Sequence, residues 1–169
     1  GGIEPNPRYE TLMKAVEKIR AEGWNYLLAV GGGSVIDGTK FIAAAVPYTA
    51  GDPWDIVAKG APVNCAVPMA SVLTLPATGS EMNRFAVISR NSTGDKLAFE
   101  SEHVYPRFSV IDPQVTFTLP PRQIGNGVVD AFAHTFEQYL TYPAAAPVQD
   151  RFAEGVLLTL VEYGPKTLA

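Results

Sequence analysis

The sequence predicts an α/β fold: parallel strands and helices alternating through residue 119, then a stretch that is helical throughout. Three observations carry that expectation. The short apolar run Leu27-Leu28-Ala29-Val30 breaks into Gly31-Gly32-Gly33, and an amphipathic segment through Phe41 to Ala45 follows. That order reads as buried strand, tight turn and helix. A second apolar run, Met69 to Leu75, enters another turn at Pro76-Ala77-Thr78-Gly79-Ser80-Glu81. Beyond Leu119-Pro120-Pro121 the strand signals cease, so the boundary falls near Pro120. An α/β domain is expected over residues 1–119 and a helical one over residues 120–169.

Along the chain, Pro5-Asn6-Pro7 is a turn cluster ahead of a helix. Tyr9, Leu12, Met13, Val16 and Ile19 recur at three- and four-residue steps and give one apolar stripe. Gly23 closes that helix, and Trp24 to Val30 supplies the strand that feeds the glycine turn. The next helix carries Asp37, Lys40 and Phe41 and ends at Pro47. Prolines and glycines break residues 47–68, leaving room for one short helix at Trp54 to Ala58. Phe85–Ser89 and Lys96–Phe99 flank Asn91-Ser92-Thr93-Gly94, the composition of a hairpin loop. Phe108–Ile111 is a further strand, closed by Asp112-Pro113. Gln123–Leu140 and Pro147 to about Tyr163 then read as helices.

Composition excludes several classes of function. At 169 residues, 47% apolar and 18% charged, the chain has the make-up of an ordinary globular protein. A net charge of -4 argues against nucleic acid or an anionic membrane surface as partner. No apolar run reaches the roughly 18 residues of a membrane span, and a signal-like segment is lacking. With one cysteine, Cys65, an internal disulfide is impossible, and its apolar neighbours predict a buried, inert thiol. These features suggest a cytoplasmic protein. The chain starts at Gly1-Gly2 and stops within a helical pattern, which suggests a segment of a longer polypeptide.

Chemistry concentrates in two places. Glycines without a Cβ allow close backbone approach, and the helix opening at Ser34 aims free N–H groups and its positive dipole end above the turn. A pyrophosphate matches that environment, although a merely flexible turn has the same composition. Thr74, Thr78 and Ser80 could serve a ribose or ring amide, or only cap their own turn. Lys96 could neutralise a phosphate or be a solvated edge lysine. Asp37 could cap a helix start or stand near a ligand.

In the helical segment, Asp130 and His134 share a helix face at i and i+4, roughly 6 Å apart. They could hold two positions on a divalent ion or form a solvated pair. The apolar Val128, Val129, Phe132, Ala133 and Phe136 around them suggest a partly buried setting. His103 reads as a surface or structural residue.

The order Gly31-Gly32-Gly33-Ser34-x-x-Asp37, Leu75-Pro76-Ala77-Thr78-Gly79-Ser80-Glu81, Asp112-Pro113, Leu119-Pro120-Pro121 and Asp130-x-x-x-His134 resembles the iron-containing (group III) alcohol dehydrogenases. Gly1-Gly2-Ile3-Glu4-Pro5-Asn6-Pro7 and Thr93-Gly94-Asp95-Lys96 look most like their butanol dehydrogenase and broad-range aldehyde reductase branch. The resemblance covers essentially the whole chain. It implies a partial Rossmann-like parallel-sheet domain without its first βα unit, followed by the first helices of an all-α metal-binding domain. It further implies that Gly32, Gly33, Ser34 and Asp37 line a pyrophosphate site. Thr74, Thr78, Ser80, Lys96 and Leu119 would contact the rest of NADP or NAD.

Asp130 and His134 would be two ligands of iron or zinc. The family holds its metal with one Asp and three His, and only one His follows Pro120 here. The implied reaction is hydride transfer between the nicotinamide and a small alcohol or aldehyde, with no proton donor assigned in this segment. A homodimer is the family habit. A glycerol-dehydrogenase or dehydroquinate-synthase relative would use the same turns and metal, and a nucleotide-binding module without catalysis would need only the first site.

Overall fold

One helix, enclosed on nearly every side, organises the first part of the molecule. The computed structural model describes residues 2–141 and 145–168, and the chain divides into two units, Gly1–Gln114 and Val115–Ala169. Gly1, which opens the first segment of the family resemblance, lies outside the described residues. In the first unit, α1 (Tyr9–Glu22) is followed by β1 (Leu27–Gly31), α2 (Gly33–Ala45), α3 (Trp54–Ala58) and β2 (Met69–Leu73). A hairpin of β3 (Phe85–Arg90) and β4 (Asp95–Glu100) follows, and then β5 (Ser109–Ile111). This is the mixed α/β arrangement expected from the alternation.

The sheet is parallel in the order β1-β2-β5, with Leu27 opposite Met69 and Ser71 opposite Ser109. Strand alternation sends Ala29, Met69 and Leu73 inward, where they pack with Ile36 of α2. The other side of α2 sends Phe41, Ile42, Ala44 and Ala45 into a larger core. There they meet Leu12 and Val16 of α1, Trp54 and Ile56 of α3, and Ile88 and Phe99 of the hairpin. The run Gly38–Ala45 is buried throughout. Such a helix cannot be amphipathic, because neither side meets water.

The opposite sheet face is covered only in part: Leu28, Val30 and Val110 are 57%, 58% and 44% exposed, while Ala70 on the central strand is buried. Two expectations need correction. Trp24 and Tyr26 precede β1 instead of opening it, and both are exposed. Cys65 is exposed because residues 59–68 run without helix or strand over the surface, whatever their apolar content.

The ends of the main elements have specific causes. Gly23 stops α1 in the left-handed region at φ 70° and returns its N–H to the Ile19 carbonyl. Arg20 reaches from α1 to the end of α2 and donates to the carbonyls of Ala45, Val46 and Tyr48 at 2.6, 2.8 and 2.7 Å. One guanidinium thus gathers the last carbonyls of α2, at the negative end of its dipole, together with the Tyr48 carbonyl just beyond it.

The second unit contains α4 (Pro121–Tyr139) and α5 (Pro147–Tyr163), with Pro at the start of each. A short 3-10 turn at Pro165–Leu168 packs against both helices. Between them runs an apolar groove lined by residues including Val128, Phe132, Leu160 and Leu168. Among the described residues no helix is long and apolar enough to cross a membrane.

Replacing Arg20 by Met should lower the unfolding free energy by about 1–3 kcal/mol, since several charge-assisted bonds to carbonyls disappear together. Urea unfolding checks this, with an unchanged denaturant slope expected.

Candidate functional site

At the junction of β1 and α2, Gly32 is extended at φ -85° and ψ -170°, and no side chain caps the helix that starts at Gly33. The Gly32 carbonyl already accepts from the Val35 and Ile36 amides, so the helix is wound from its first turn. Gly31 is held to the end of the neighbouring strand by the Thr74 amide, which donates to its carbonyl at 3.0 Å. Gly33 lies directly against the second turn: a Cβ there would stand 2.3 Å from Thr78 Oγ1 and 2.7 Å from Thr78 Cγ2. Only glycine permits that approach.

The Thr78 turn is tied down from several directions. Gly79 is left-handed at φ 66°, and the Ser80 amide donates to Thr78 Oγ1 at 3.3 Å. Ser80, itself buried, donates to Asp37 Oδ1 at 2.6 Å, while Asp37 Oδ2 accepts from the Val87 amide at 2.9 Å. Asp37 therefore caps no helix. It grips the segment that follows the turn. A hydroxyl relay adds a third tie, with Ser71 Oγ donating to Ser109 Oγ at 2.7 Å and Ser109 Oγ to the Glu81 carbonyl at 2.8 Å.

On the open side, the Asn6 amide donates to Ser34 Oγ at 3.2 Å, and Lys96 Nζ donates to Asn6 Oδ1 at 2.7 Å. Gly32, Gly33, Ser34, Asp37, Thr74, Thr78, Ser80 and Lys96 are thus brought into one linked neighbourhood. Leu119 belongs to the second unit, where its amide donates to the Thr116 carbonyl.

Also in the second unit, His134 Nε2 stands 3.6 Å from Asp130 Oδ1, one helical turn away. Two donors each 2.0–2.1 Å from a tetrahedral ion would stand about 3.4 Å apart, so the pair fits two positions of a metal site. Its surroundings differ from the expected partly buried setting: the two side chains are 66% and 49% exposed. The apolar neighbours Val129 and Phe136 are exposed as well, because α5 and the closing turn cover only part of α4. Among the described residues no third His, Cys, Asp or Glu joins them.

A family model of iron-containing alcohol dehydrogenases matches residues 1–113, the stretch that holds both turns. The chain belongs to the iron-containing alcohol dehydrogenase family. It is 65% identical to the NADPH-dependent aldehyde reductase YqhD of Escherichia coli, over 99% of this chain and 44% of that protein. It is 48% identical to the probable NADH-dependent butanol dehydrogenase 2 of Bacillus subtilis, over 99% of this chain and 43% of that protein. Among solved structures, E. coli YqhD matches with a TM-score of 0.93 at 64% identity, covering 99% of this chain and 44% of that one. An NADH-dependent butanol dehydrogenase A from Thermotoga maritima matches at 0.87 and 39% identity, covering 98% and 41%. The chain spans less than half the length of these family members.

Three residues of this iron-containing alcohol dehydrogenase chain escaped the sequence reading. Asn6 adopts φ 56°, a left-handed conformation that Asn tolerates; its place between two prolines was the available signal. Lys40 is fully buried, its ammonium donating to Asn83 Oδ1 at 2.9 Å and to the Phe85 carbonyl at 2.8 Å. Its signal was a lone charge in a helix that lacks a polar face. Asn83 offers no signal beyond its position after the turn. Desolvation lowers the Lys40 pKa from 10.5 to about 8, and the nearby Asp37 and Glu81 carboxylates oppose that fall.

Gly33→Ala should destabilise the protein by about 1–3 kcal/mol through overpacking against Thr78. Adding Thr78→Ala should recover part of that loss, a coupling that a double-mutant cycle in urea measures.

Lys40 also predicts a pH signature. Between pH 8 and 10.5 the unfolded chain keeps a proton that folded Lys40 has released, so stability rises with pH across that window. Urea titrations at several pH values should show that slope in the wild type and its loss in Lys40→Met.

Proposed function

We propose that this chain carries the dinucleotide cradle and two metal ligands of a metal-dependent oxidoreductase that moves a hydride between NADP or NAD and a small alcohol or aldehyde. The observation that carries the reading is the uncapped start of α2, with Gly33 pressed against Thr78. A turn of this kind leaves N–H groups pointing at an anion and excludes side chains from the space it needs. The activities for which YqhD and the butanol dehydrogenases are named favour the same chemistry, and likeness to YqhD favours NADPH over NADH. Residues 1–119 are assigned to the nucleotide domain and residues 120–169 to the start of the helical metal domain.

In this reading the Gly32, Gly33 and Ser34 segment binds the pyrophosphate through backbone N–H groups and the positive helix end. Asp37 acts on that site by holding Ser80. Thr74, Thr78 and Ser80 are assigned to the ribose and nicotinamide side, with Ser80 acting from beneath the turn, and Lys96 is assigned to neutralise phosphate charge. Asp130 and His134 hold a divalent ion, iron as the family name gives it or zinc. When bound, the nicotinamide donates or accepts the hydride and the ion polarises the substrate oxygen as a Lewis acid.

NADPH titration of the full chain, followed by fluorescence, should give saturable binding that weakens about tenfold or more in Gly33→Ala, a loss of about 1.4 kcal/mol or more. Titration with Fe2+ or Zn2+ under anaerobic conditions should give binding that weakens by about tenfold or more in His134→Ala. A folded chain indifferent to both dinucleotides would end the nucleotide reading, and metal binding unchanged in His134→Ala would end the ligand assignment.

A further inference from the structure

Lys40 is a buried charge with no part in the chemistry assigned above. It is wholly inaccessible, so it cannot touch a dinucleotide or substrate. Its stem fills core volume that a Met side chain would fill without the cost of desolvating an ammonium. What the ammonium adds is position. Asn83 Oδ1 accepts from both Lys40 Nζ and the Phe85 amide, at 2.9 Å each, and the Phe85 carbonyl accepts from Lys40 as well. The chain immediately after the 3-10 turn Ser80–Met82 is therefore pinned to α2 through the Asn83 side chain and the Phe85 carbonyl.

Asp37 lies three residues earlier on the same helix, and it grips Ser80 and Val87. From positions one helical turn apart, Asp37 thus holds the two ends of the segment 80–87 and Lys40 holds its middle, at residues 83 and 85. The charged groups facing Lys40 are Asp37 on its own helix and Glu81 on the turn.

We propose that Lys40 is a positioning residue, its buried ammonium fixing the segment 80–87 on α2 and so setting how closely the Thr78 turn stands over Gly33. The consequence for dinucleotide affinity rests on the function proposed above; the consequence for the turn does not. Unlike Asp37, Lys40 has no atom in the candidate site, so any effect on binding is transmitted through Asn83 and the turn.

The test compares wild type, Lys40→Met and Asn83→Ala in the full chain, each well below its own unfolding temperature. NADPH affinity is read by fluorescence, and amide hydrogen exchange is read over residues 76–87 and over β1 and β2 without ligand. In Lys40→Met, exchange at residues 80–87 should rise about tenfold or more while β1 and β2 stay within about twofold, a local opening distinct from global unfolding. NADPH affinity should fall by about tenfold or more. Asn83→Ala should move both readings the same way, and it decides the matter if Lys40→Met does not fold. A lowered melting temperature with unchanged exchange at 80–87 and unchanged affinity marks a merely structural lysine and overturns the proposal. If wild type binds neither NADPH nor NADH, the dinucleotide reading fails alone. Exchange at 80–87 then decides the role of Lys40, and no change there overturns it.

Discussion

The approach of Gly33 to Thr78 is the contact on which the site depends. A single methyl group at Gly33 would overlap three atoms of Thr78, so the two turns can be neighbours only while that carbon is missing. The contact is also hard to relax, because α2 cannot slide. Its run from Gly38 to Ala45 is buried between the sheet and the α1–hairpin core, where close packing leaves no free volume for a shifted helix. Gly38 shows the same tightness at its other face, where a Cβ would stand 2.9 Å from both Ile3 and Leu12. The geometry of the turn is thus set by the core behind it.

That helix carries two charged residues, Lys40 buried and Asp37 half-buried, where an apolar helix would be cheaper. Asp37 and Lys40 lie in a segment that otherwise reads Val-Ile-x-Gly-Thr-x-Phe-Ile-Ala. Each is hydrogen-bonded to the chain between residues 80 and 87, with amide, carbonyl and hydroxyl groups among the partners. Apolar contact would hold that segment with comparable strength but without direction, because the hydrophobic effect is nearly isotropic. Hydrogen bonds to ionised groups carry both strength and angle. The pair therefore converts the rigidity of α2 into a defined placement of the following loop.

The sequence disclosed the elements more completely than the links between them. The helix ending at Gly23, the short helix from Trp54 to Ala58, the hairpin around Asn91–Gly94 and the helix from Pro147 to Tyr163 were all legible, because each has a local cause. Turn residues, proline at a first helical position and three- or four-residue apolar spacing act within a dozen residues. Asn6 to Lys96 spans ninety positions and Lys40 to Asn83 spans forty-three, and no local pattern encodes such pairs. The α4 surroundings misled for the opposite reason. Apolar residues all round a helix do forecast burial, but they cannot say which partner covers them, and α5 covers only part of that circumference. Cys65 erred the same way: apolar neighbours in sequence did not make a buried segment.

The distribution of ties around the Thr78 turn bears on how a ligand would be received. On the protein side, Asp37, Lys40 and the Ser71–Ser109 relay hold the turn through groups that are buried or nearly so. These bonds need not change when an anion arrives, so the backbone donors are already in place and little ordering remains to be done. On the open side the tie is of another kind. Lys96 and Asn6 are both exposed, and their bond joins surface groups at the open side of the turn. An ammonium has three donors and, among the described residues, one is used there, so Lys96 could turn toward a phosphate while keeping Asn6. Under the proposed function, a firmly tied floor with a surface lysine at its rim would let the fixed groups select the ligand's shape while the lysine followed its charge.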